Sequence, residues 1–311
     1  MIAAVGKVFI TRTFPFAALE RLQAEHDVDI WDDNAPPPRE VLLERSAAAD
    51  ALLTIITEKV DAELFDAAPS VKAVANLAVG TDNIDLDEAA RRGIAIGNTP
   101  GVLTDATADI AFALLLGIAR RINEGERQVR NGEWVPWYPT HMVGGDTADT
   151  TLGIVGWGRI GQAMARRGEG FGMHVIHSSR SSGVSLDELL EQSDYVSLHT
   201  PLTPETRHLM GAEQFKRMKK TAYLINTARG GVVDQVALRE ALEAGEIAGA
   251  GLDVTEPEPL PADDPLLTAP NLLVVPHVGS ATFRTRSRMA DMAVDNLLAA
   301  LAGKDMPHPA S

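Results

Sequence analysis

The sequence predicts an α/β protein made of two doubly wound parallel-sheet domains. Three observations carry the prediction. The chain has 311 residues, and at roughly 150 residues per domain that length suits about two. Hydrophobic residues make up 45% of it, enough for a sizeable core. Short apolar, β-rich runs alternate with helix-forming stretches almost throughout, the pattern of a parallel sheet with helices on both faces.

In the first series, strands are expected at residues 5–10, 28–31, 51–54, 71–77 and 94–96, with helical composition over 15–25 and 38–49. A longer helix is expected over 100–121. Its run from Ile110 to Ala119 is apolar on nearly every side, as suits a buried helix between two packed bodies. After Asn131 the periodicity lapses through Gly132-Glu-Trp-Val-Pro-Trp-Tyr-Pro139 to Gly144-Gly145, which reads as a loop with three exposed aromatics. A second series follows. Its strands are expected at 151–155, 173–177, 195–198, 222–225, 250–252 and 272–275, and its helices at 160–169, 186–192, 211–217 and 235–244. A long helix over 280–301 closes the chain.

Composition excludes several classes. Lysine and arginine number 28 against 43 aspartates and glutamates, a formal charge of −15. Nucleic-acid binders present a basic face, and anionic lipid also attracts basic segments, so neither partner is expected. There is no cysteine, which removes disulfides, thiolate nucleophiles and cysteine-ligated metals; no metal is expected. The run 110–119 is too short to span a bilayer. The segment from Met1 to Ile10 lacks the basic start and small-residue cleavage site of a signal peptide and reads as a strand. A cytoplasmic protein is the expectation.

Gly156-Trp-Gly-Arg-Ile-Gly161 follows the apolar run 152–155 and opens a helical pattern. In that strand–loop–helix context the three glycines have separate tasks: Gly156 makes the tight turn, Gly158 lets backbone reach a pyrophosphate, and Gly161 lets helix and strand approach. The helix start at Arg159 and Ile160 offers N–H groups to phosphate. An acid at the next strand end selects NAD through the ribose hydroxyls. Here that end is His177-Ser178-Ser179-Arg180, with no acid. Ser178 and Ser179 can donate to a 2′-phosphate and Arg180 can pair with it, so NADP(H) is the preferred cofactor, with NAD(H) possible. His177 is expected to stack near the adenine edge.

These residues carry a family resemblance. The chain resembles the D-isomer-specific 2-hydroxyacid dehydrogenases, closest to their glyoxylate/hydroxypyruvate reductase branch. Besides the glycine loop, the matching pieces begin at Asn76 (Asn-Leu-Ala-Val-Gly-Thr-Asp), Asn98 (Asn-Thr-Pro-Gly-Val), His199 (His-Thr-Pro-Leu-Thr-Pro-Glu-Thr), Ile225 (Ile-Asn-Thr-Ala-Arg-Gly-Gly), Gly251 (Gly-Leu-Asp-Val-Thr-Glu-Pro-Glu-Pro-Leu) and Pro276 (Pro-His-Val-Gly-Ser-Ala-Thr). They occur in family order over nearly the whole chain. The resemblance implies a Rossmann-type cofactor domain, residues 99–282, inserted into a flavodoxin-like substrate domain, residues 1–98 and 283–311. The active site is then expected in the cleft between them, with crossings after Pro100 and Ser280.

It also implies roles. Arg229, at a strand end, would bind the substrate carboxylate and carbonyl oxygen. His277, again at a strand end, would donate or accept the proton. Glu258 would hold its imidazole, whereas Glu256 is expected to be a solvated acid. The amides of Val79 and Gly80 would receive the carboxylate, with Ser280 nearby. Thr107, Thr200, Pro201 and Thr206 would surround the phosphates, ribose and adenine. Thr227, Ala228, Asp253 and Gly279 would approach the nicotinamide side. Trp137 would reach the active site of a partner subunit, and the exposed aromatics favour a homodimer. The implied reaction is reduction of glyoxylate or hydroxypyruvate to glycolate or D-glycerate. Alternatives are a D-lactate or phosphoglycerate type of dehydrogenase, the latter disfavoured because no regulatory domain follows Ser311, or a dinucleotide-sensing interaction protein.

Overall fold

A computed structural model describes residues 5–14 and 16–310; the part of the expected N-terminal reading that falls on residues 1–4 lies outside them. The chain divides into two units, Met1–Leu103 with Thr282–Ser311, and Thr104–Ala281.

The first unit runs β1 (Lys7–Ile10), α1 (Ala17–Glu25), β2 (Asp27–Ile30), α2 (Arg39–Ser46), β3 (Ala51–Thr54), α3 (Ala62–Ala67), β4 (Ala73–Asn76), α4 (Leu86–Arg92) and β5 (Ala95–Gly97). Its five strands are parallel in the order β2-β1-β3-β4-β5, the flavodoxin-like order. Every residue of β3 and β4 is buried. A parallel sheet covered on both faces needs such continuous apolar runs. Phe9, Leu52 and Val74 pack with Leu42, Leu64 and Phe65 on one face. On the other, Val8, Ile10 and Ala75 meet Leu22 of α1 and Ala293, Val294 and Leu297 of the terminal helix.

That helix is Phe283–Leu301, and Thr282 caps it by accepting the Thr285 N–H at 3.0 Å. Its buried Asn296 donates to the carbonyls of Asn98 (3.2 Å) and His308 (3.1 Å) and accepts the His308 N–H (2.9 Å). The C-terminal segment is thereby tied to the end of β5. Gly97 belongs there because a Cβ would collide with the Asn296 amide.

The second unit begins with α5 (Thr104–Ala119) and α6 (Ile122–Arg130). It continues β6 (Thr151–Val155), α7 (Arg159–Gly170), β7 (His174–Ser178), α8 (Leu186–Gln192), β8 (Tyr195–Leu198), α9 (Ala212–Arg217), β9 (Tyr223–Asn226), α10 (Gln235–Glu243), β10 (Gly249–Leu252) and β11 (Leu272–Val274). The final helix of the chain is α11. Six parallel strands lie in the order β11-β10-β9-β8-β6-β7. Counted within the unit this is 2-1-3-4-5-6, one strand longer than the flavodoxin order and distinct from the 3-2-1-4-5-6 arrangement. The order reverses between β6 and β8, and ligands of open α/β sheets bind outside the carboxyl ends of the strands at such a switch point.

The apolar run of α5 packs within this unit. Leu114, Leu115 and Ala111 join Leu152, Ile154, Met164 and Ile225 in one cluster. The opposite face of the sheet is covered by Leu189 of α8, Phe215 of α9 and Leu238 of α10. Residues 131–150 carry no helix or strand. They return along α6: the Gly145 N–H donates to the Ala119 carbonyl (2.8 Å), and Gln128 Nε2 approaches the Met142 sulfur (3.3 Å). Trp134 and Trp137 are 72% and 83% exposed there. Among the described residues no helix is long and apolar enough to cross a membrane.

Candidate active site

The strand order of the second unit lays the predicted residues along one sheet edge. Ser178 ends β7 and Gly156 follows β6. Thr200 follows β8, Arg229 follows β9, Asp253 and Glu258 follow β10, and His277 follows β11. The dinucleotide motif thus occupies one end of the row and the acid–base residues the other.

At the β11 end, His277 Nδ1 lies 2.8 Å from Glu258 Oε2. Both side chains are about one-third exposed, at 33% and 31%. The other Glu258 oxygen accepts the Thr255 N–H at 3.1 Å. A carboxylate at Nδ1 favours the tautomer with the proton on that nitrogen, so Nε2 is the nitrogen that could exchange a proton. His277 has φ +50°, an uncommon conformation for a non-glycine residue. Asp253 holds it on both sides: its carbonyl accepts the His277 N–H (2.9 Å), and its carboxylate accepts those of Val278 (2.6 Å) and Gly279 (2.9 Å). Asp253 is buried, and burial pushes its carboxyl above the ordinary carboxylate range. Both its oxygens are engaged by main chain, so it positions the turn that carries His277. Thr107 Oγ1 closes the same turn by donating to the Gly279 carbonyl (3.3 Å), and Ser280 lies inside it, bounded by an Ala281 N–H bond to the Val278 carbonyl (2.8 Å).

Arg229 sits where β9 gives way to a short 3-10 turn, Gly230–Val232. Buried Asn226 shapes the approach. Its Oδ1 accepts the Ala228 N–H (3.0 Å) and its Nδ2 donates to the Arg229 carbonyl (2.9 Å). Arg229 Nη1 also donates to the Ala228 carbonyl at 2.8 Å. The Thr227 hydroxyl is buried beside them and, among the described residues, has no hydrogen-bond partner.

The three glycines of the loop differ in their surroundings. Gly156 has φ +97°, and a Cβ there would lie 2.6 Å from the His199 carbonyl oxygen. A Cβ on Gly161 would collide with the Gly156 carbonyl, whereas one on Gly158 meets nothing within 4 Å. The second glycine therefore faces open space at the start of α7, and main-chain N–H groups there suit a pyrophosphate. These residues fit a dinucleotide.

The turn after β7 is more committed than its sequence suggests. Ser179 Oγ donates to the Ser182 carbonyl (3.0 Å), accepts the Ser182 N–H (3.1 Å) and lies 3.0 Å from Ser182 Oγ. Its proton is engaged inside the turn, which leaves Ser178 and Arg180 as the side chains open to an outside phosphate. Arg180 pairs with Glu205 at 3.4 Å, both highly exposed. His177 stacks on Trp157 of the glycine loop, with ring centroids 4.0 Å apart and planes at 17°. After β8, Thr206 Oγ1 donates to the Pro201 carbonyl (2.6 Å) and accepts the Thr203 N–H (2.8 Å), so it closes the loop that follows Thr200. Glu256 is exposed, as expected of a solvated acid, and Arg207 pairs with both its oxygens at 3.0–3.1 Å.

In the first unit, Val79 and Gly80 are half-buried. Asn98 Nδ2 donates to the Val79 carbonyl (2.8 Å) and Asn76 Nδ2 to the Gly80 carbonyl (3.0 Å). In a trans peptide the N–H opposes the carbonyl, so the amides of Gly80 and Thr81 point away from these asparagines. Trp137 is exposed in the second unit.

A switch-point glycine loop in one row with a histidine–carboxylate pair defines a nucleotide-dependent oxidoreductase. The chain belongs to the D-isomer specific 2-hydroxyacid dehydrogenase family: the model of that family's NAD binding domain matches residues 112–279. A glyoxylate reductase of Korarchaeum cryptofilum is 52% identical over 97% of this chain and 95% of its own length. A crystal structure of a protein from Thermus thermophilus superposes with a TM-score of 0.94 at 47% identity, covering 98% of this chain and 100% of that one. An NADPH-dependent glyoxylate/hydroxypyruvate reductase of Sinorhizobium meliloti, solved with NADP and malonate, gives a TM-score of 0.85 at 33% identity over 99% and 97%.

One group at this edge gives a pH signature. His199 is half-buried, with Nε2 2.8 Å from Ser197 Oγ, and its Nδ1 is out of solvent and has no hydrogen-bond partner among the described residues. Burial disfavours its charged form and lowers its pKa from 6.5 to about 4. An unfolded chain thus takes up this proton near pH 6.5 and the folded one only near 4, so the contribution to stability is complete above pH 6.5 and is lost as pH falls toward 4. Asp253, with its pKa raised, acts in the opposite sense. The comparison of variants therefore decides: Tm of the wild type is expected to fall more between pH 7 and pH 4 than Tm of His199→Asn. Parallel curves would refute the assignment.

Proposed function

We propose that this protein reduces glyoxylate and hydroxypyruvate to glycolate and D-glycerate, with NADPH preferred over NADH. The observation that carries the reading is the 2.8 Å contact of His277 with Glu258, held on adjoining strand ends with Arg229. The names of its relatives support the substrates. Residues 99–282 are assigned to cofactor binding, and residues 1–98 with 283–311 to substrate binding.

When bound, the reduced nicotinamide supplies a hydride to the carbonyl carbon of the 2-oxo acid. The chain does the rest. Arg229 pairs with the substrate carboxylate and polarises the carbonyl oxygen. Val79 and Gly80 of the first unit are assigned to substrate binding. The imidazolium of His277 gives its Nε2 proton to the oxygen as negative charge develops, and Glu258 stabilises the charged ring and fixes its orientation. The oxidation reverses the proton's path. Thr227, Ala228 and Gly279 line the nicotinamide side, and Ser280 the substrate.

The preference for NADPH rests on the strand end after β7, which offers Ser178 and Arg180 and no acid. The protein is also proposed to act as a homodimer. Ile122 and Val129, one face of α6, are 59% and 55% exposed, and the adjoining loop exposes Trp134, Trp137 and Val143. Large exposed apolar surface of this kind marks interaction sites. Trp137 would enter the active site of the second copy.

Five measurements test these statements. Oxidation of NADPH is expected with glyoxylate and hydroxypyruvate well ahead of pyruvate and phenylpyruvate, and His277→Ala is expected to lower kcat about 10²–10⁴-fold. Equal rates on all four acids would sink the substrate assignment, and a near-wild-type kcat the histidine. The double change Ser178→Asp with Arg180→Ala is expected to shift the kcat/KM ratio toward NADH; an unmoved ratio refutes the 2′-phosphate site. Sedimentation should give twice the chain mass of 33.2 kDa, and Trp137→Ala should raise KM for the 2-oxo acid with little effect on KM for NADPH. A monomer would remove the cross-subunit role.

A further inference from the structure

We propose that Gln235 is a positioning residue for the His277–Glu258 pair, acting as a two-point clamp on the backbone of Glu256. The inference rests on the reading of that pair as the proton-transferring group.

Glu258 belongs to the stretch Thr255-Glu-Pro-Glu-Pro259. Two of its residues are prolines and offer no N–H, so the segment has few donors with which to fix itself. Its internal bonds are those of Thr255, whose N–H reaches Glu258 Oε1 (3.1 Å) and whose hydroxyl reaches the Pro257 carbonyl (2.8 Å). These tie the segment to itself and not to the sheet. The outside anchor is Gln235. Its Oε1 accepts the Glu256 N–H at 2.8 Å, and its Nε2 donates to the Glu256 carbonyl at 2.6 Å. The amide thus satisfies both main-chain groups of one residue, as a neighbouring strand does in a ladder. Only an amide side chain carries a donor and an acceptor in that arrangement.

The clamp itself is rigidly based. Gln235 is the first residue of α10, whose start is fixed by Asp234 accepting the N–H groups of Val236 and Ala237, both at 3.1 Å. Arg207 adds a second hold on the Glu256 carboxylate. The loop carrying Arg229 also leans on the segment. A Cβ on Gly230 would collide with the Thr255 carbonyl, and one on Gly231 would come within 3.3 Å of the Glu256 carboxylate. Gln235 therefore sets where Glu258 stands relative to both His277 and the arginine loop, without touching substrate.

The test compares Gln235→Ala and Gln235→Glu with wild type, with the exposed neighbour Val236→Ala as control and His277→Ala in parallel. Glutamate keeps the size and the acceptor but loses the donor to the Glu256 carbonyl. Both Gln235 variants are expected to lower kcat about 10-fold or more, since small misplacements at a reacting centre have large effects. The limb of the kcat–pH profile that reports the histidine is expected to move, because its charged form loses a fixed carboxylate. Glu258 and Asp253, the acids that act on His277, remain in every variant. KM for NADPH and the profile of Val236→Ala are expected to stay as in wild type. A Gln235→Ala enzyme with wild-type kcat and a superimposable profile overturns the clamp. If that variant does not fold, Gln235→Glu decides by the same two readouts. An active His277→Ala enzyme would instead overturn the underlying reading of the pair.

Discussion

The left-handed backbone of His277 is the constraint on which the acid–base end depends. A non-glycine residue at φ +50° carries strain of roughly 1–3 kcal/mol. Asp253 offsets it with three main-chain hydrogen bonds, one through its carbonyl and two through its carboxylate. Each contributes about 1 kcal/mol, and more where a charged group takes part. The strain is thus outweighed locally, and the imidazole leaves the chain where it meets Glu258. Gly279 follows from the same arrangement: a Cβ on it would lie 2.9 Å from Asp253 Oδ2. The carboxylate that holds the turn leaves no room for a side chain beyond it.

Crowding of main chain is the second organising feature. The loops after β6, β8, β9 and β10 approach one another at glycines. Gly156 abuts the carbonyl of His199, and Gly230 abuts that of Thr255. Gly158 differs, because a Cβ on it meets only open space. Sterics inside the protein explain the first two glycines completely. They do not explain the third, whose lack of a side chain matters only to something that comes from outside. That contrast sets Gly158 apart from Gly156 in the same motif.

The fold was largely legible in the sequence, for a physical reason. Strands buried on both faces read as continuous apolar runs, and β3, β4 and β8 are buried at every position. Helix α6 gave a weak signal because none of its residues is buried. The positions of Arg229, Glu258 and His277 followed from motifs, but their supports did not. Arg207 and Glu256 are 49 residues apart, and Gln235 and Glu256 21 apart. Such pairs depend on strand order, which local periodicity does not encode. Ser179 misleads in another way. A serine beside Arg180 reads as a phosphate donor, yet its hydroxyl closes its own turn. Composition cannot distinguish a polar group that is available from one already satisfied.

A net charge of −15 is at first sight ill suited to a family whose members hold a dinucleotide and a small acid. The distribution of donors removes the difficulty. Charges on the outer surface are screened within about 8–10 Å at physiological salt, so the acid excess acts on solubility more than on the sheet edge. In the proposed reading each anion would have its own donors: the N-terminus of α7, the turn with Ser178 and Arg180, and Arg229. Arg180 already has an acidic partner in Glu205, but both are highly exposed and 3.4 Å apart, a pairing that contributes little. The Glu205 carboxyl is held below its ordinary range chiefly by the Thr203 hydroxyl and only lastly by Arg180. Glu205 would therefore remain satisfied if Arg180 turned to the proposed 2′-phosphate, and a doubly charged phosphate would compete for that guanidinium on better terms than a single carboxylate.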